Sequence, residues 1–203
     1  EYQQQGSPHI HILIWLKEEP VFGVDDDDLV TQILLTDKCQ WPVDNPALQK
    51  LANRQIHRHY HTCRKKSKDE CHFNYPQPPM RATEIVYALE ADMPQNKIKQ
   101  HKDTWKSIKK QSGYLKKCQC ITAFEEHFLE LKVTENDYRL AVRSSVDAPT
   151  VYLKRNPNEL RITNYNPGCL EAWRADTEIQ FVLDVYACAM YRISFHFLKH
   201  KKE

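Results

Sequence analysis

The sequence predicts a mixed α+β domain, with antiparallel strands, flanking helices and a Cys/His-rich inserted loop. Three observations predict it. The chain opens with two strand-like runs around a turn, and its middle holds several segments with helical spacing. Residues 57–79 then concentrate His, Cys, Lys and Pro without either periodicity. At 203 residues and 41% hydrophobic, the chain suits one domain over 1–203 with 57–79 as an insertion within it.

Runs 1–5 and 9–16 flank Gly6-Ser7-Pro8, a turn signal that makes them a hairpin. A loop follows through Asp25–Asp28 and Trp41-Pro42. The spacing predicts a helix over 46–61, with Asp44 or Asn45 as its cap, and an irregular segment over 63–79. Further helices are expected over 102–117, 122–131 and 134–145, the last opening on Thr134 and Asp137 at capping-box-like spacing. Short strands over 151–155 and 159–163 precede one long helix from Asp176 to about 199. No apolar run approaches membrane-spanning length, and 10–16 and 179–190 read as a buried strand and a buried helix.

The net charge of +2 does not by itself announce a polyanion partner. Basic residues nevertheless cluster at 64–68, 97–110, 116–117 and 199–202, the arrangement that phosphate contacts need. The bland alternative for each run is a solvated face. Seven Cys with no disulfide framework and no secretory signal point to a reducing compartment, where Cys and His together suggest metal.

His9-Ile10-His11 places two imidazoles on one face of a strand, since side chains alternate with period two. If the hairpin turns about Gly6, Glu1 faces His11 on the same side of the sheet. One carboxylate and two imidazoles with open positions suit Mg²⁺ or Mn²⁺, which can polarise a phosphodiester. The alternative is a polar sheet face without metal. In the expected C-terminal helix, Tyr191 shares a face with Gln180, Asp184 and Phe195, a stripe ending in Lys199. Its hydroxyl is a candidate nucleophile toward phosphorus, although most helical tyrosines only pack.

These residues carry a family resemblance. The stretch Glu1-Tyr-Gln-Gln-Gln-Gly-Ser-Pro-His-Ile-His-Ile-Leu-Ile-Trp-Leu16 resembles the HUH motif of Helitron transposases, the rolling-circle elements of eukaryotes. So do His57-Arg-His59, Thr62-Cys63, Cys71, Pro76-Gln-Pro-Pro79, Leu153-Lys-Arg-Asn-Pro-Asn-Glu159, Asn164-Tyr-Asn-Pro167 and Asp184-Val-Tyr-Ala-Cys-Ala-Met-Tyr191. The similarity runs in order along the whole chain. It implies an HUH endonuclease fold, a central antiparallel sheet carrying the His pair and a helix presenting the nucleophile. It also implies a nuclear enzyme that nicks and joins single-stranded DNA through a 5′-phosphotyrosine, with His9, His11 and Glu1 as metal ligands.

By the same resemblance, Tyr191 is the first tyrosine of the family's Tyr-x-x-x-Tyr motif, and Phe195 stands where the second is expected. Two tyrosines share successive strand transfers in the family, so this chain is expected to manage one. The family's first strand motif and the helicase that follows its nuclease lie outside these 203 residues, which read as a fragment.

His57, His59, His61, Cys63, Cys71 and His72 fall close together, and thiolates with imidazoles suit tetrahedral Zn²⁺. The resemblance selects His57, His59, Cys63 and Cys71 as a structural zinc set. The alternative is a solvated basic loop with reduced thiols. Lys154, Arg155, Gln180 and Lys199 are candidates to hold DNA phosphates, with Trp173 available for base stacking or for the core. Two competing classes remain. One is a domesticated or inactive single-stranded DNA-binding module, and the other a zinc-dependent hydrolase whose His pair activates water.

Overall fold

The computed structural model describes residues 12, 14, 17, 20–60, 63, 71, 73–114, 121–181 and 183. Of the expected hairpin only residues 12 and 14 are described, and Glu1, His9, His11, His61, His72, Tyr191, Phe195 and Lys199 lie outside the described residues. In chain order the elements are α1 (Asp27–Leu34), α2 (Pro46–Ala52), β1 (Glu84–Val86), α3 (Gln95–Tyr114), α4 (Phe124–Leu131), α5 (Glu135–Arg143), β2 (Thr150–Tyr152) and α6 (Pro167–Trp173). The described architecture is thus α+β: six helices and one small antiparallel sheet, with Glu84 opposite Tyr152 and Val86 opposite Thr150. Among the described residues no helix is long and apolar enough to cross a membrane.

Local chemistry explains most helix starts. The Asp26 carboxylate accepts from the Asp28 amide at 2.8 Å, and Asp27 and Asp28 place negative charge at the positive end of α1. Asn45 caps α2 by accepting from Leu48 N at 3.0 Å, with Pro46 beginning the first turn. Thr134 caps α5 by accepting from Asp137 N at 3.1 Å, while its hydroxyl donates to the Asp137 carboxylate at 2.7 Å. Asn166 and Pro167 open α6 in the same way as Asn45 and Pro46.

Two apolar clusters hold these elements. The larger joins Met80, Val86, Ile108, Phe128, Tyr138 and Val142, so α3, α4 and α5 close over the sheet. The smaller joins Leu48, Ala52, Ile162, Tyr165 and Leu170, packing α6 on α2.

Three expectations are corrected. The helix predicted over 46–61 ends at Ala52, followed by a 3₁₀ turn at Asn53–Gln55 and an extended Ile56. The reason is tertiary pairing: Thr163 N donates to Gln55 O and His57 N to Arg161 O, both at 2.7 Å. The predicted strand over 159–163 is a loop touching Ile56 through a single bridge at Ile162. Residues 176–181 are not helical. With the Gln55 amide oriented to satisfy both bonds, it donates to Thr177 O at 2.6 Å and accepts from Thr177 N at 3.1 Å. Ile179 N donates to Asn164 O at 3.2 Å. Gln180 therefore does not share a helical face with Tyr191 through this segment.

His127 on α4 gives a pH prediction. It is buried beside Phe128 and Tyr138, and its Nε2 has no hydrogen-bond partner among the described residues. Burial disfavours the imidazolium and pushes the pKa down to about 4. The folded pKa lies below the unfolded value of about 6.5, so stability is complete above that pH. It falls as pH drops from there toward 4, by on the order of 3 kcal/mol in total. Urea midpoints of wild type and His127→Leu are expected to diverge in slope across that window, the variant being flatter. Parallel curves would show that His127 does not titrate on unfolding.

Candidate metal centre

The turn after α2 and the 3₁₀ segment delivers His57 on extended chain, pinned by its amide to Arg161 O. Its ring stacks on Tyr75, with centroids 4.3 Å apart and planes 12° from parallel, and meets Phe73 edge-on. That aromatic slot fixes the imidazole and excludes water from one face. Cys71 Sγ lies 3.3 Å from His57 Nε2. Cys63 Sγ lies 3.5 Å from His59 Nδ1 and donates to Tyr60 O at 3.1 Å. Asn74, in the left-handed region at φ 60°, donates its amide to Cys71 O at 2.9 Å and turns the chain back toward the cluster.

The four donor atoms all lie within 4.8 Å of one another. A tetrahedral zinc with bonds of about 2.0–2.3 Å separates its ligand atoms by about 3.3–3.8 Å, so modest side-chain movement closes the set. His57, His59, Cys63 and Cys71 therefore form a group that can bind a metal ion. Cys63 is buried and the other three are half-buried.

The local environment favours the neutral forms of His57 and Cys71. Burial, then the nearby Arg161 charge, lowers the His57 pKa, favouring the neutral imidazole that ligates metals. Burial raises the Cys71 thiol, and the neighbouring Cys63 adds to this. Two thiols at close quarters resist ionising together unless a divalent cation compensates them.

The other predicted positions separate by burial. Lys154 is exposed, as is Gln180, and Trp173 on α6 is 54% exposed rather than core. Arg155 is corrected from a surface cation to an interior one, being 3% exposed. Its guanidinium donates to Glu159 O and Ile162 O at 2.7 Å and to Asn164 Oδ1 at 3.1 Å. Its backbone pairs with Met80 in both directions at 2.9 Å.

Glu159 completes this clamp. Its carboxylate accepts from Trp41 N at 2.6 Å and Asn156 N at 3.1 Å. The clamp holds the 156–164 loop, whose Arg161 carbonyl positions His57. Sequence reasoning missed this role because charge alone does not distinguish a surface arginine from one that organises a loop. Pro157 and Asn158 between the two charged residues were the available sign of a tight turn.

Set beside known proteins, the chain matches no family model, no curated protein and no solved structure.

Proposed function

We propose that this chain is the metal-dependent nuclease and strand transferase of a rolling-circle transposase of the Helitron kind. The observation that carries the reading is the convergence of His57, His59, Cys63 and Cys71, the four residues that the resemblance selected as a set. In this reading they hold a structural Zn²⁺ that anchors the 57–79 loop. Glu1, His9 and His11 hold Mg²⁺ or Mn²⁺, which when bound polarises the scissile phosphodiester.

The tyrosine chemistry belongs to the chain itself. Tyr191 Oη attacks phosphorus, the bond to the 3′ oxygen breaks, and that oxygen leaves as a 3′ hydroxyl. The 5′ phosphate stays esterified to Tyr191, which conserves the bond for rejoining. Lys199, four residues after Phe195 in sequence, supplies positive charge toward phosphate in this reading. Lys154 and Gln180 contribute from the surface, and exposed Trp173 offers a ring for base stacking.

The test is a denaturing gel of labelled single-stranded DNA with protein and Mn²⁺ or EDTA. Wild type is expected to give a covalent adduct that EDTA prevents and Tyr191→Phe abolishes. The absence of a hydroxyl at Phe195 favours one second reading, an inactive single-strand binder, which predicts binding with no adduct under any metal.

A further inference from the structure

The exposed face of α3 has no role in the fold. Lys99, Lys102, Lys106 and Lys110 are all exposed, and at about 100° per residue they fall within about 80° of arc. They extend about 16 Å along the helix axis. The opposite face is occupied by Ile108, buried in the main core, with Trp105 packed against it.

The helix carries six lysines and a single acidic residue, whereas the whole chain is nearly balanced at 29 basic and 27 acidic residues. That acid, Asp103, reaches Lys106 at 3.5 Å with both groups largely exposed, a contact that water and salt screen. Among the described residues Lys99, Lys102 and Lys110 have no ion pair. Like charges three and four residues apart repel, so the stripe weakens the helix that bears it.

A straight cationic stripe complements a polyanion with regularly spaced charges. Single-strand binding combines a groove with stacking rings. This face is the outer side of a single helix, and the tryptophan within its span, Trp105, packs against the core. The geometry favours phosphates already held in a regular array.

We propose that this face of α3 docks the phosphate backbone of duplex DNA, holding it without reading sequence. The choice of nucleic acid as polyanion rests on the function proposed above. The stripe would grip the double-stranded DNA beside the strand that is cut.

The test is fluorescence anisotropy on the full chain over a salt series, with a labelled duplex and a single strand of equal length. The proteins are wild type, Lys99→Gln/Lys102→Gln, Lys106→Gln/Lys110→Gln, the quadruple variant, and a control with Lys50, Lys97 and Lys132 changed to Gln. Each lost duplex phosphate contact lowers the slope of log affinity against log salt by about 0.9. The quadruple variant is expected to lose roughly three to four units of slope on duplex and each double variant about two. The control should lose less than about one.

Equal loss per lysine in the control, loss confined to the single strand, or no salt-dependent duplex binding by wild type would each overturn the proposal. Urea midpoints equal to wild type confirm that the variants are folded. The adduct assay separates the two readings: duplex slopes that shift as expected without any wild-type adduct would sink the nuclease reading alone.

Discussion

Replacing Cys63 with serine is expected to strip the chain of zinc and lower its melting temperature by on the order of 10 °C. Cys63 is the buried member of the four-donor cluster and sits 3.5 Å from His59. A serine hydroxyl does not ionise at neutral pH and is a poor zinc ligand, leaving three donors where a structural site needs four. In the proposed zinc-loaded form, metal-binding energy contributes to the stability of this loop. Partial loss of that energy, about 3–5 kcal/mol, corresponds to roughly 10 °C at about 2–4 °C per kcal/mol.

Elemental analysis and thermal melts with and without chelator check this. Chelator should bring wild type toward the variant and leave the variant unmoved. Cys169→Ser, at an exposed thiol outside the cluster, should match wild type. Wild type purified without chelator that holds no zinc would refute the site.

Arg155→Met is expected to destabilise the fold by about 3–5 kcal/mol, the usual result of removing one partner from a buried charged network. The change leaves the Ile162 carbonyl and the Asn164 amide oxygen without the arginine donor, and leaves Glu159 O with the Ile162 amide alone. It also releases the loop whose Arg161 carbonyl holds His57, so zinc affinity should fall together with stability. Lys154→Gln, one residue away but exposed, should change stability by less than about 0.5 kcal/mol. Urea unfolding of the two variants, read with zinc content, checks the contrast. An Arg155→Met protein as stable as wild type would show that the clamp does not organise the loop.

The readable parts of this fold were those decided within a few residues. Thr134 and Asp137 cap α5 as their spacing predicts, and Asn45 begins α2. Two similar signals lie elsewhere: Asn166-Pro167 opens α6, and the Asp run, expected as loop, caps α1 through Asp26. The unreadable parts were decided by distant chain. Nothing near residue 52 reports that Thr163 and Arg161 will claim the backbone of Gln55 and His57. Nothing near Asp176 reports that Gln55 will claim Thr177. The candidate metal cluster was legible because rare residue types close in sequence narrowed it to six and the resemblance to four, whereas Arg155 was not, because burial is a property of the whole fold.

The bond from His57 N to Arg161 O has a consequence for the nascent chain. His59, Cys63 and Cys71 emerge from the ribosome as neighbours, but the partner that fixes His57 is synthesised 104 residues later (161 − 57). At about 5–20 residues per second that delay is roughly 5–20 s. During it, any early-bound zinc is held by ligands whose geometry is not yet set, with two reactive thiols open to exchange. A metal centre formed by these four residues would thus be completed only after translation of the far half of the chain, and a pause there would prolong that interval.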